Sequence, residues 1–247
     1  MSTMALTITT IVCAYNEASY LSACLHSLLA QTRPPDELIV IDNASSDATP
    51  EVAHAIPGVR VVHEPVRGLV VARQTGLRTS SGSILTYIDA DCRAPLRWLE
   101  RIEQTFRADD VVAVTGPYRF YDWDHSGRAI VRLYDLCVAP PTHLLVHHAL
   151  GIGAILYGGN FAVRRDALMR IGGFDHTIDF HGEDTNLARR LTRAGRIAIR
   201  RGCWVWTSAR RYRAMGKRKV FGLYVRNFWS EILRHRPADR EHLDIRV

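Results

Sequence analysis

Short apolar runs alternate with longer amphipathic stretches through the first 115 residues of the chain. Thr7–Ala14, Glu37–Ile41, Val59–His63, Ile84–Ile88 and Val111–Thr115 are brief and rich in β-branched residues, and they read as strands. Between them, Leu21, Leu25, Leu28 and Leu29 recur at helical spacing. Asp47 or Thr49 is placed to cap a short helix before Pro57-Gly58, and Val66–Arg78 reads as a further helix. Pro95–Phe106 reads as a helix with proline in its first turn. Strands alternating with helices predict β-α-β units, hence an α/β fold with a mostly parallel central sheet and helices on both faces.

Beyond residue 116 the alternation stops. Gly127–Val138 is predicted helical, and Gly158-Gly159-Asn160-Phe161 a tight turn into a strand. Glu183–Ala194 is predicted helical, with acids first and arginines last as the helix dipole favours. Ile197–Arg200 and Trp204–Thr207 are strand candidates, and Gly216–His235 a basic helix. No repeat or low-complexity linker interrupts the chain. One domain over 1–247 is expected, with a nucleotide-binding half (1–115), a catalytic half (116–215) and a basic tail (216–247).

The chemistry concentrates where apolar runs end. Ile84–Ile88 runs straight into Asp89-Ala90-Asp91. Residues two apart on an extended backbone point the same way, so both carboxylates should project from one strand end. Paired hard oxygens suit Mg²⁺ or Mn²⁺, above all when phosphates complete the shell. A second such pair, Asp122-Trp123-Asp124, follows no apolar run and reads as turn chemistry. Tyr15–Glu17 and Asp42 also fall at strand ends, where open parallel sheets bind ligands.

Charge is uneven. Residues 1–120 carry a net −3 and residues 121–247 a net +10, which implies an anionic partner for the second half. Five cysteines, odd in number and never in a C-x-x-C pair, argue against a disulfide framework or zinc site and for a reducing compartment. Met1–Asn16 has no basic residue before its apolar run, unlike a signal peptide. The longest apolar region, Leu144–Gly159, is broken by His147 and His148, so no membrane span is expected. A cytoplasmic protein is expected. The basic, aromatic 216–236 segment fits either a helix packed on the core with a charged outer face or one lying peripherally on an anionic membrane at its inner face.

In order along the chain, IVCAYNE, IDNASSDAT, RGLVVARQTGLRTSSGSILTYIDAD, GGNFAVRRDALMRIGGFD and GED (residues 182–184) resemble the inverting family 2 glycosyltransferases of the GT-A nucleotide-diphospho-sugar transferase fold. The resemblance runs from about Thr7 to Thr207. It implies nucleotide contacts from Ala14, Tyr15, Glu17, Gly68, Arg73, Asp89 and Ala90, with Asp42 receiving the base. A turn-forming role competes for Asp42, and a solvated helix face for Arg73. It implies that Asp89 faces ribose and metal shell and that Asp91 ligates a divalent cation, with His181 a candidate further ligand. It implies Asp184 as general base with Glu183 orienting the site, against the simpler reading of two acids at a helix start. Gly158, Gly159 and Asn160 would line the acceptor side, and Arg210 and Arg211 would close over the pyrophosphate from a mobile loop. The implied donor is UDP- or GDP-linked, and the acceptor hydroxyl is lipid-linked or part of a polysaccharide.

Other classes fit less well. A dinucleotide dehydrogenase would want glycines where Ala14-Tyr15-Asn16-Glu17 stands, and Gly151-Ile152-Gly153 ends in Leu156. A P-loop fails because Lys217 is followed by Arg218 and Arg211 holds the first glycine position. A sugar-nucleotide-forming nucleotidyltransferase would want a glycine-rich basic loop after the first strand. A non-catalytic nucleic-acid or membrane binder accounts for the arginines but not for the acidic and glycine motifs at strand ends.

Overall fold

The computed structural model describes residues 6–178 and 180–239. The end of the expected tail, 240–247, lies outside them. The first part is β1 (Ile8–Ala14), α1 (Ala18–Leu29), β2 (Glu37–Asp42), α2 (Thr49–His54), β3 (Val59–His63), α3 (Leu69–Thr79), β4 (Ile84–Asp89), α4 (Trp98–Phe106) and β5 (Val111–Thr115). After it come β6 (Tyr118–Phe120), α5 (His125–Leu133), α6 (Ala139–His143), β7 (Asn160–Arg164), α7 (Arg165–Arg170), α8 (Glu183–Leu191), β8 (Arg196–Ile199), β9 (Val205–Thr207), α9 (Arg210–Met215) and α10 (Lys217–Arg234).

Seven strands form one sheet in the order β3-β2-β1-β4-β7-β5-β8, all parallel except β7, which runs antiparallel to β4 and β5. Both faces are covered, so successive residues of β1 serve two cores. Ile8 and Val12 pack with Leu21, Leu25, Trp98 and Phe106 of α1 and α4. Ile11 packs with Val70 and Leu77 of α3, and its core extends to Leu187 and Leu191 of α8. Truncating a buried leucine such as Leu25 would cost about 2–5 kcal/mol.

Register carries the site. Ala14 lies opposite Asp42, and Cys13 opposite Asp89, so β1, β2 and β4 end together. Because β7 is antiparallel, its start meets the end of β4: Ile88 pairs with Asn160, and the Asp89 amide donates to the Gly159 carbonyl at 3.2 Å. β6 and β9 form a separate parallel pair.

Three local expectations shift. α3 starts at Leu69, not Val66, because Gly68 sits at φ +156°, outside helical space. α4 starts at Trp98, leaving Pro95 in a preceding turn whose carbonyl accepts from the Trp98 amide at 2.9 Å. The helix expected to end at Val138 instead runs on to Ala149, through π-helical turns at Tyr134–Val138 and Leu144–Ala149 that flank α6. Pro140 and Pro141, in α6 between the two π turns, supply no amide hydrogen to the helical ladder. His125–Ala149 is thus a 25-residue helical run, long and apolar enough by length and composition to cross a membrane. No span is expected from Leu144–Gly159, which His147 and His148 interrupt, but the helical run starts upstream of that region, at His125.

Candidate active site

The ends of β1 and β4, the turn before β7, the start of α8 and helices α9 and α10 surround one cavity of about 1000 Å³. Ala14, Tyr15, Glu17, Gly68, Arg73, Asp89, Ala90, Asp91, Gly158, Gly159, His181, Glu183, Asp184, Arg210 and Arg211 all line it.

At the sheet end, Arg210 is the organising cation. Its guanidinium donates to both carboxylate oxygens of Glu17, at 2.9 and 2.5 Å, and its Nε lies 3.1 Å from Asp91 Oδ2. Glu17 and Asp91 are buried, and these contacts hold Arg210 firmly protonated against the cost of its own burial. Arg210 and Arg211 are therefore part of a short helix and already docked, not on a loose loop. The Arg211 guanidinium covers the Phe180 ring, 4.7 Å from its centroid. Asp91 Oδ1 also meets the Thr207 hydroxyl at 3.4 Å.

A second arginine organises the other pole. Arg73 is 3% exposed, so it is no solvated helix face. It donates to Glu183 Oε1 at 2.9 Å and to the Gly158 carbonyl at 2.6 Å. Among the described residues Asp184 accepts only from its neighbour Thr185, from the amide at 2.7 Å and the hydroxyl at 3.3 Å. Withdrawal from water, with the Glu183 charge next to it, pushes the Asp184 carboxyl up to about 7. Both acids do open α8, so the helix-start reading holds alongside their place in the cavity.

The two poles meet at Gly158-Gly159. A side-chain carbon on Gly158 would sit 3.1 Å from Glu183 Oε1 and 3.3 Å from Asp184 Oδ2, while one on Gly159 would collide with Asp89 Oδ2. Adjacent residues thus abut the two acid clusters: a Cβ on Gly159 must displace Asp89, and one on Gly158 is a tight fit against Glu183 and Asp184.

Two expected site residues do not line the cavity. The Asp42 carboxylate accepts from the Ser45 amide at 3.3 Å and meets His63 Nδ1 at 2.9 Å, its cross-strand partner in β3. Its neighbour Asn43 lines the cavity and ties down the next loop by accepting from the Gly68 amide at 2.8 Å. Asn160, expected on the acceptor side, is turned into the core by strand alternation. It donates to the Gly116 and Cys203 carbonyls, both at 2.8 Å, and accepts from Trp98 Nε1 at 3.0 Å. In the second Asp-x-Asp pair, Asp122 accepts from the Ala209 amide and Asp124 caps α5 by accepting from the Gly127 amide, each at 2.6 Å.

Sequence reasoning missed several lining groups. Arg67 stacks over Tyr15, 4.2 Å from the ring centroid. The Tyr118 hydroxyl accepts from the Gly159 amide at 2.6 Å. Asp135 accepts from the Tyr157 hydroxyl at 2.5 Å, and burial lifts its carboxyl to about 6. Tyr157 beside the glycine pair was the one available signal; Asp135 carries none, because only the π turn aims it inward.

Comparison with known proteins decides what this arrangement belongs to. The model of the Glycosyl transferase family 2 matches residues 9–172. The chain belongs to glycosyl transferase family 2. This family 2 chain is 32% identical over 196 residues to Glycosyltransferase AglE of Haloferax volcanii, covering 76% of this chain and 62% of that protein. It resembles the solved mannosyltransferase PcManGT from Pyrobaculum calidifontis in complex with GDP-Man and Mn²⁺, at TM-score 0.72 and 25% identity, over 94% of this chain and 65% of that one. It also shares its fold with S. aureus TarS 1-349 in complex with UDP-GlcNAc, at TM-score 0.66 and 15% identity, over 82% and 58% of the two chains. The GT-A fold expected from the motifs is therefore the one observed, although the chain spans less than two thirds of the length of these proteins.

Proposed function

We propose that this family 2 chain moves a sugar from a nucleoside-diphosphate donor, UDP- or GDP-linked, to a hydroxyl acceptor, with inversion by direct displacement. The observation that carries the reading is the Gly158-Gly159 junction, where the Asp89 carboxylate and the Glu183/Asp184 pair reach the same cavity from neighbouring residues. A donor seated at the sheet end then has its anomeric carbon near an acid whose pKa of about 7 suits proton transfer at neutral pH.

Each residue takes a role its contacts support. Tyr15 and Arg67 offer a stacked platform at the nucleotide end. Arg210 and Arg211 supply fixed positive charge toward a diphosphate. Asp184 accepts the proton of the acceptor hydroxyl as that oxygen bonds to the anomeric carbon and the carbon–oxygen bond to the diphosphate breaks. Arg73 holds Glu183 in place through their ion pair, and the Glu183 charge in turn raises the basicity of Asp184. The base contact first expected of Asp42 falls instead to its neighbourhood, Asn43 and the 64–68 loop that Asn43 holds.

A divalent cation fits the residues present. The Asp89 carboxylate lines the cavity and accepts no hydrogen bond among the described residues, and hard carboxylate oxygens are the donors that Mg²⁺ and Mn²⁺ prefer. Asp89 and Asp91 would hold it, with His181 the further candidate on the cavity wall. Such an ion offsets charge on the departing nucleoside diphosphate. Five free thiols fit action in a reducing, cytoplasmic setting.

A thermal-shift screen of nucleoside diphosphates with and without Mn²⁺ tests the reading, since selective ligands stabilise the folded state in proportion to affinity and concentration. One diphosphate should raise Tm only with the ion. Indifference to all of them, alongside salt-sensitive oligonucleotide binding, would discard it in favour of a nucleic-acid binder.

A further inference from the structure

The helical run 125–149 and α10 leave a face that nothing among the described residues covers. Leu133 and Leu144 are each 61% exposed, Leu136 54% and Leu233 68%. The Tyr134 and Phe221 rings meet edge-on with centroids 6.0 Å apart, so the two helices adjoin at that point. Single exposed leucines are ordinary, but a joined apolar face marks an interaction site.

Two further observations select the partner. The first is charge. Arg132, Arg218, Lys219 and Arg234 are exposed and form no ion pair among the described residues. The acids on the same two helical runs are withdrawn: Glu231 is fully buried against Asn186 and Arg189, and Asp135 is held inside the cavity by Tyr157. The second is continuity. Val138, Phe221, Val225 and Trp229 line the cavity and are also exposed, so an apolar stretch of its wall continues out onto these helices.

We propose that this face docks on an anionic lipid bilayer, with the acceptor end of the cavity opening toward the membrane. The leucines enter the acyl boundary while the arginines and lysines meet lipid phosphates. A two-fold contact between copies would set Arg218, Lys219 and Arg234 against the same charges on the partner, and anionic lipid carries no such penalty. A hydroxyl acceptor anchored in that bilayer would enter along the apolar wall; this last clause rests on the glycosyl-transfer reading, whereas the docking does not.

Co-sedimentation of the full chain with vesicles of phosphatidylcholine, alone or mixed with phosphatidylglycerol, tests it. Binding to the mixed vesicles should exceed binding to the neutral ones by about tenfold at low salt and fall away at high salt. The Leu133→Ser/Leu144→Ser variant, altered outside the cavity lining, should lose about tenfold or more in vesicle binding with unchanged circular dichroism. Arg218→Gln/Lys219→Gln should lose about fivefold per charge. Equal binding to both vesicles, binding to neither, or a lipid-free dimer dissolved by the leucine substitutions would overturn the proposal. Donor hydrolysis in detergent-free buffer is the separate readout: a chain that binds vesicles but never cleaves a donor keeps the docking and loses the transfer reading.

Discussion

The cavity holds two acid clusters, each with an arginine, and the arginines are used in opposite ways. At the end of β4, Arg210 spans Glu17 and Asp91, so two carboxylates share one cation. At the start of α8, among the described residues, Arg73 forms an ion pair with Glu183 alone and leaves Asp184 with only its neighbour's amide and hydroxyl. The consequence is a division of labour between chemically identical side chains. Carboxylates near a cation stay ionised and suit binding charged groups. An acid that sits next to an ionised acid, with little water and no cation of its own, has its proton affinity raised and suits accepting a proton.

The largest expected effect tests the first pole. Asp91→Asn should abolish cation-dependent donor turnover while leaving the thermal transition near its wild-type midpoint, and near-normal turnover in the purified variant would remove Asp91 from the proposed ion site. At the second pole, Asp184→Asn should lower kcat by roughly two to four orders of magnitude with donor binding retained. If Glu183→Gln is instead the crippled variant, the two acids have exchanged roles. Gly159→Ala strikes the seam between the poles. Its methyl group must displace the Asp89 carboxylate, so donor affinity and kcat should fall together, whereas a purely structural glycine would move only Tm.

Removing Arg73 asks whether it is a nucleotide contact or a strut. Arg73→Met strands a largely buried Glu183 carboxylate and should cost about 3 kcal/mol of stability. Arg73→Met/Glu183→Gln should regain much of that in chemical denaturation, and full additivity of the two changes would show that they do not act as a pair. The smallest effects are in pH. As a base Asp184 must be ionised, so kcat/KM should rise through about pH 7. The sign for stability is opposite: the folded state holds the Asp184 proton more tightly than the unfolded chain, so this group's contribution falls as pH rises from the ordinary aspartate value of 3.8 to about 7. Asp184→Asn should therefore melt no lower than wild type at pH 8. Asp135→Asn should leave the limb near pH 7 in place; a limb that disappears would make Asp135, lifted to about 6, the base instead.

Local pattern carried much of this. The five strands of the first half were legible because each is short, β-branched and bounded by turn formers, and the helices between them differ from expectation by a few residues at their starts. The acids of Asp89-Ala90-Asp91 were legible because a strand that ends in polar residues has only one place to put them. Asp42 sits at an equivalent strand end, yet β3 set His63 across from it and took up its carboxylate. Asn160 follows two glycines that line the cavity, yet one step along a pleated strand reverses the direction of a side chain.

By itself the sequence determined the alternating fold, the family and the chain positions of the acidic motifs, since periodicity, turn chemistry and motif order are properties of neighbours along the chain. Only the tertiary structure decided which arginine meets which acid, that Asp184 and not Glu183 is left without a cation, and that the helix begun near residue 125 continues as an exposed apolar run to Ala149. Pairing, burial and proton affinity depend on groups distant in sequence, such as Arg210 and Glu17 or Arg73 and Glu183, and no local pattern encodes the distance between them.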